Sequence, residues 1–313
     1  MKKLSVVFCG TPDFSIPTLE LLTNHPYISI KRVITMPDRP AGRGQQPCSP
    51  PVAIYAKEHG LPLVQTANLN NEKGLIEELR KENIDFFLVL AFAQFLGEEA
   101  LRLPKMGCFN IHTSLLPKYR GAAPIQHALM NGDQETGVTI QKMVKSMDAG
   151  DIALVKKVPI GANETGGQLY ARLKFEAALS TNFFIEEIIQ NKLNLVPQDH
   201  SLATLAPSLK KEDGHLHFDC QPIEKISKLV RALHPWPGTY CFVNDKRLII
   251  QELVPIERKI APGTLCVDEG ILIIGALDGC LRLPRIQWEG KKVLSDEDWI
   301  KGLQNKNGPW VLK

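Results

Sequence analysis

Paired cysteines are the first thing this 313-residue sequence lacks. Its seven cysteines (Cys9, Cys48, Cys108, Cys220, Cys241, Cys266 and Cys280) are odd in number, scattered and without a C-x-x-C spacing. Neither a disulfide framework nor a structural zinc site is indicated, and free thiols in a reducing compartment are expected. Long hydrophobic runs are missing too. The longest, FFLVLAFA at 86–93, is far below the roughly 20 residues that span a bilayer. The N-terminal MKKLSVVFCG runs straight into Thr11-Pro12-Asp13 without a small-residue cleavage site, so it does not read as a signal peptide. A cytoplasmic protein with no membrane partner is expected. Charge of one sign is not in excess either: 37 Lys+Arg stand against 34 Asp+Glu, net +3, which neither demands nor excludes a nucleic-acid partner.

Several motifs are also absent. Gly10 stands alone in CGTPDF, so G-x-G-x-x-G after the first apolar run is missing and a dinucleotide site is unsupported. There is no Walker A lysine loop and no G-x-S-x-G elbow. His215-x-His217 has the spacing of a metal pair, but alternation along a strand explains it equally well and no third ligand stands nearby, so no metal is expected.

What is present is an ordinary globular composition, 44% hydrophobic and 23% charged, in a chain long enough for two domains. Up to about residue 190, strand-like segments (4–9, 28–34, 61–64, 85–92, 108–112, 136–143, 151–160) alternate with helical patterns such as KGLIEELRKEN and a long amphipathic helix over 167–190. Such alternation implies a Rossmann-like, mostly parallel sheet with helices on both faces, and ligands then sit outside the carboxyl ends of the strands. Residues 195–209, with two prolines and no period, read as a linker. Beyond it one helix (223–232) and short strand candidates (214–218, 239–243, 247–254, 263–267, 270–274, 280–286) suggest a smaller β-barrel of OB-like type. The expected domains are therefore 1–190, a linker at 191–209, and 210–313.

The stretch FNIHTSLLPKYRG at 109–121 carries the most chemistry. Positions two apart on a strand share a face, so Asn110 and His112 project together at a strand end. A later loop, Met147-Asp148-Ala149-Gly150-Asp151, offers carboxylates. An Asp beside a His fixes its tautomer, and an Asn amide donates to a developing oxyanion. Ser114 lacks a triad signature, so the attacking group is expected to belong to the substrate, as in direct acyl-type transfer.

FNIHTSLLPKYRG, TGVTIQKMVKSMDAGD, the CGTPDFS turn, PDRPAGRG in the proline-rich loop 36–51, HPWPG and the late GKK together resemble the methionyl-tRNA formyltransferases. The N-I-H and D-x-G-D pair marks the wider 10-formyltetrahydrofolate-dependent superfamily. The resemblance implies formyl transfer from 10-formyltetrahydrofolate, a cosubstrate, to the α-amine of initiator methionyl-tRNA, with Asn110, His112 and Asp148 catalytic. It implies a folate site along Ala91, Phe92, Ala93, Gln94, Phe95 and Leu96, then Ser114, Leu115, Leu116 and Pro117, then Met143, Val144, Lys145, Ser146 and Met147. It implies tRNA contacts from Arg39 and Arg43, the latter foremost, and from the second domain through Lys210, Lys211, Lys246, Arg247, Lys291 and Lys292. A monomer is expected.

Some positions depart from the family pattern. Gln45 and Gln46 stand where lysines usually follow GRG, Ala53 replaces a lysine, and Phe92 and Ala93 replace a Tyr and a Gly. The alternatives are an amino-sugar nucleotide or glycinamide ribonucleotide formyltransferase, a formyl-folate hydrolase, and a non-catalytic RNA-binding protein. The Arg-bearing loop and second domain weigh against the other transferases, and the intact trio against a non-catalytic protein.

Overall fold

The computed structural model describes residues 3–41, 46–302 and 310–311, and they form two compact units. The first comprises 1–124, 135–159 and 170–206; the second comprises 125–134, 160–169 and 207–313.

In chain order the first part of the sequence gives β1 (Leu4–Gly10), α1 (Ile16–Asn24), β2 (Ile28–Thr35), the short pair β3 (Arg39–Ala41) and β4 (Gln46–Cys48), α2 (Pro51–Glu58), β5 (Leu63–Gln65), α3 (Lys73–Lys81), β6 (Phe86–Leu90), α4 (Glu98–Leu101), β7 (Cys108–His112), α5 (Pro124–Asn131), β8 (Glu135–Lys142), β9 (Ile152–Pro159) and the long α6 (Gly166–Ile189). Seven strands make one sheet, ordered β5-β2-β1-β6-β7-β8-β9. The five from β5 to β7 are parallel, and β8 and β9 add an antiparallel margin. β6 and most of β1 are apolar and buried at every position because the sheet centre is covered. The edge strand β9 instead exposes Lys156 and Lys157, which discourages pairing with another sheet. α6 holds to the sheet by Leu173, Ala177, Phe184 and Ile185, all fully buried, with the Phe184 ring 4.8 Å from that of Phe109 and 5.7 Å from Phe86. Among the described residues no helix is long and apolar enough to cross a membrane.

The 191–209 segment, expected as a linker, belongs to the first unit as far as residue 206. Arg120 forms a bridge with Leu205 and exchanges backbone hydrogen bonds with Thr204 and Ala206, so this stretch is tied down by long-range partners that its own composition does not reveal.

The second unit contains α7 (Ile223–Ala232), then β10 (Thr239–Val243), β11 (Lys246–Ile256), β12 (Thr264–Asp268), β13 (Ile271–Ala276), β14 (Gly279–Trp288), β15 (Leu294–Ser295), α8 (Asp296–Lys301) and β16 (Trp310–Val311). Its antiparallel sheet runs β10-β11-β14-β13-β12-β16, with β15 on β14, an arrangement consistent with a small barrel around Phe218, Ile226, Leu248, Leu272 and Leu283. One expected strand is corrected: 214–218 is not a strand. Asp213 accepts from the Lys210 amide at 2.6 Å and closes a helical turn at Lys211–Gly214, leaving only a His215–Tyr240 bridge to the sheet.

Asp296, at the start of α8, is almost fully buried and accepts both Arg282 nitrogens, Nε at 2.8 Å and Nη2 at 3.1 Å. Burial opposes its ionisation, but the hydrogen bonds from Arg282 and from the Leu272 and Glu297 amides outweigh that and hold the carboxyl below its ordinary value. Arg282→Ala should therefore cost about 3 kcal/mol in urea unfolding of the second unit, the lower end for a broken buried pair because Arg282 is itself one-third exposed. A depressed folded pKa stabilises above the unfolded value and is lost as pH falls through the folded one, so the deficit should shrink below about pH 4. An unchanged unfolding midpoint at neutral pH would contradict this role.

Candidate active site

β7 carries Asn110 and His112 on one face, and its antiparallel register with β8 sets Gln141 opposite Asn110 and Thr139 opposite His112. Four polar side chains thus share one patch of sheet. His112 is buried, with Nε2 2.8 Å from the Tyr119 carbonyl oxygen. A carbonyl oxygen only accepts, so Nε2 carries the proton of the neutral ring. Nδ1 is then the nitrogen that gains or loses a proton, and it lies 3.7 Å from Asp148 Oδ2.

Asp148 reaches this patch from the 143–151 loop with φ at +51°, a left-handed conformation that Asp tolerates better than most residues. The turn needs Gly150, where a Cβ would stand 1.7 Å from the Lys142 carbonyl oxygen. Each carboxylate oxygen is held by a neutral donor. Oδ1 accepts from Gln141 Nε2 at 2.8 Å and, at a marginal 3.5 Å, from Asn110 Nδ2; Oδ2 accepts from the Gly121 amide at 2.9 Å. Gly121, at φ +124°, has its own requirement, because a Cβ there would meet the Ala206 carbonyl oxygen at 2.5 Å. Asn110 makes no shorter side-chain bond among the described residues, so its amide remains available to donate.

Gln198 locks the loop from beneath. It is buried, and its amide donates to the backbone oxygens of Asp148 at 3.0 Å and Gly150 at 2.7 Å. Its Oε1 accepts from Arg120 Nη2 at 2.6 Å. Sequence reading missed Gln141, Gln198 and Arg120 as parts of this constellation. Gln141 left a weak signal, sharing a strand face with Thr139 after the apolar Ile140; Gln198 left none.

A formyl transferase family model matches residues 2–182, and a model of the formyl transferase C-terminal domain matches 208–304. The chain is 38% identical over 309 residues to a methionyl-tRNA formyltransferase of Geobacter metallireducens, covering 98% of both chains. It is 38% identical over 303 residues to the one of Halalkalibacterium halodurans, covering 96% of this chain and 95% of that one. The chain belongs to the methionyl-tRNA formyltransferase family.

Solved structures share the fold at lower identity. An N-formyltransferase from Helicobacter canadensis, in complex with folinic acid and dTDP-3-aminofucose, is 20% identical with a TM-score of 0.64, covering 90% of this chain and 99% of that one. HypX from Aquifex aeolicus in complex with tetrahydrofolic acid is 15% identical with a TM-score of 0.62, covering 98% of this chain and 50% of that one.

The residues that the family resemblance suggests for the folate divide into two groups. Phe92 and Leu96 turn into the core, and Gln94 is engaged by the Leu69 amide and the Thr66 carbonyl oxygen. Ala91 and Ala93 hold positive φ and are exposed, as is Phe95. Ser114 and Leu116 are buried, while Leu115 and Pro117 are half-buried. On the 143–148 loop Met143 packs on the core, whereas Val144, Lys145, Ser146 and Met147 are exposed.

Of the tRNA candidates, Arg43 lies outside the described residues, as does Gln45. Arg39, Lys210, Lys211, Lys246, Lys291 and Lys292 are exposed. Arg247 differs: its guanidinium lies over the Tyr240 ring at 3.5 Å and within 3.8 Å of Glu289, so it is partly committed inside its own unit. Ala53, where lysine is usual, is fully buried in α2. Among the described residues no group of side chains could hold a metal ion.

The Tyr119 contact fixes an observable. In long-range proton–nitrogen spectra at alkaline pH, where imidazoles are neutral, His112 should show a protonated Nε2 and an unprotonated Nδ1. The opposite tautomer would contradict the assignment of Nδ1 as the reacting nitrogen.

Proposed function

We propose that the chain transfers the formyl group of 10-formyltetrahydrofolate to the α-amine of initiator methionyl-tRNA, in the cytoplasm, giving formylmethionyl-tRNA for translation initiation. The observation that carries this reading is the convergence of Asn110, His112 and Asp148 at one point, with no serine or cysteine placed as a nucleophile beside them among the described residues. Ser114 is fully buried and its hydroxyl donates to the Lys118 carbonyl at 2.6 Å, so it has no free position from which to attack. The nucleophile therefore arrives on the acceptor, as an amine.

The residues present fit a folate. A pterin is flat and partly apolar, and exposed Phe95, Val144 and Met147 offer apolar surface beside the polar groups of the loop. Ala91, Ala93, Phe95 and the 143–148 loop would hold it. When bound, 10-formyltetrahydrofolate supplies an activated N-formyl carbonyl.

The chain's own residues do the rest. The acceptor amine attacks as the neutral base, which is accessible near neutrality because a free α-amino group titrates at roughly 7.7–8.0. Asn110 Nδ2 donates to the formyl oxygen as negative charge gathers there. His112 Nδ1 takes the proton that the amine sheds as the new C–N bond forms, and returns a proton to the departing nitrogen as the old C–N bond breaks. Asp148 Oδ2, at 3.7 Å, stands where it can hold the protonated ring, and the bonds from Gln141 to Oδ1 and from the Gly121 amide to Oδ2 keep the carboxylate in place. On the acceptor side, Arg39 and Arg43 of the proline-rich loop and Lys210, Lys211, Lys246, Lys291 and Lys292 of the second unit would meet tRNA phosphates, an electrostatic contact that weakens with salt.

The purified protein with 10-formyltetrahydrofolate, offered charged initiator tRNA, an amino-sugar nucleotide, glycinamide ribonucleotide or water, should formylate the tRNA. Asn110→Ala should lower that turnover by about 10²–10³ with the fold intact, the scale of one lost oxyanion donor. No transfer to tRNA, or transfer to another acceptor alone, would overturn the reading.

A further inference from the structure

The segment that leaves β6 alternates. Phe92 and Leu96 turn into the core, while Ala91, Ala93 and Phe95 are exposed. Ala91 and Ala93 stand at φ +50° and +63°, a left-handed conformation that is costly for a residue with a Cβ and persists only where the surroundings enforce it. Two enforcing bonds come from the turn after β1: Ser15 Oγ donates to the Leu90 carbonyl oxygen at 2.8 Å, and Thr11 Oγ1 to that of Phe92 at 3.2 Å. Gln94 shares the inward side with Phe92 and Leu96. A half-buried amide at such a position, where a leucine would pack, needs a reason.

Its bonds reach two other strand ends. Gln94 Oε1 accepts from the Leu69 amide at 2.8 Å, and Nε2 donates to the Thr66 carbonyl oxygen at 2.7 Å and lies 3.1 Å from Met36 Sδ. Both N–H groups and the carbonyl of one side chain are thus engaged. Thr66 follows β5, and its own amide donates at 3.0 Å to Thr35, the last residue of β2. Met36 opens the proline-rich loop. Its carbonyl oxygen accepts from Gln65 Nε2 at 3.2 Å, and the same nitrogen donates to Asp38 Oδ1 at 2.6 Å. Hydrogen bonds from Gln65 and Ser49 hold the Asp38 carboxyl below its ordinary value, so both limbs of the loop are fastened here. Asn70 repeats the link farther along, donating to the Phe95 carbonyl oxygen at 2.8 Å and accepting from the Gly97 amide at 2.6 Å.

We infer that Gln94 is a positioning residue that fixes the exposed 91–95 segment against the base of the 36–51 loop, acting through these two segments and not on a substrate itself. The inference rests on the formyl-transfer reading, in which the first segment faces the folate and the second the acceptor tRNA. One amide then sets the donor and acceptor surfaces in a single geometry. A hydrocarbon of the same volume would fill the space but leave the Leu69 amide and the Thr66 carbonyl without this partner, and the two segments free to shift apart.

Gln94→Met keeps the volume and removes the bonds. In steady-state formylation well below the variant's thermal midpoint, KM for 10-formyltetrahydrofolate and KM for charged initiator tRNA should each rise about 10-fold. Turnover should stay within about 3-fold of the parent, since Asn110, His112 and Asp148 are untouched. Gln94→Glu gives a second reading that holds even if the methionine variant does not fold. When neutral, the new carboxyl accepts from Leu69 and donates to Thr66 as the amide does; when ionised it has no proton to donate. Partial burial raises its pKa, and the acids on the same network, Glu72 on the Thr66 hydroxyl and Asp38 on Gln65, push the same way. Both KM values, taken relative to the parent at the same pH, should therefore return toward the parent's as pH falls from about 8 to about 6. Unchanged KM values in either variant, a rise in the folate KM alone, or a ratio flat in pH would overturn the inference and leave the formyl-transfer reading standing wherever the parent formylates the tRNA. A parent that formylates no tRNA would overturn both.

Discussion

The geometry of the proposed catalytic patch depends on one carboxylate being held still. Asp148 stands in a left-handed backbone conformation, and its two oxygens are shared among Gln141, the Gly121 amide and, loosely, Asn110. All are neutral donors, and the buried His112 ring lies beside the carboxylate with Nδ1 3.7 Å from Oδ2. Several backbone choices exist to permit this. Gly150 allows the loop to close on β8, Gly121 allows its amide to come near, and Gln198 ties the loop to the segment that follows α6.

This explains why an antiparallel margin on an otherwise parallel sheet matters. β8 returns antiparallel beside β7 through the 113–134 connection and sets Gln141 opposite Asn110. The β8–β9 connection then delivers Asp148 to the same face only a few residues later. Gln141 and Asp148 lie only seven residues apart, so one connection between neighbouring strands brings the amide to the carboxylate it holds.

Much of the fold and part of the site could be read from the sequence, for identifiable reasons. β6 and most of β1 are continuous apolar runs because both faces of the sheet centre are covered, and continuous runs are easy to see. Asn110 and His112 were legible because strand periodicity forces them onto one face. Asp148 was legible only as a loop carboxylate, and its alliance with Gln141 needs the inter-strand register, which composition does not encode. Gln198 was illegible: its partners lie about fifty residues earlier, and its surroundings read as a linker. The strand expected at 214–218 failed for a related reason. Alternating polar and apolar residues there suit a strand, but the Asp213 turn takes the chain out of the sheet.

The central claim is that Asp148 acts through His112 and not as an independent group. A double-mutant cycle on single-turnover formyl transfer tests it most directly, comparing His112→Ala, Asp148→Ala and the protein carrying both. If Asp148 serves only to hold His112, the double variant should be about as slow as His112→Ala alone, the behaviour of residues that act as one unit. Rate losses that multiply would show two independent contributions and contradict the account.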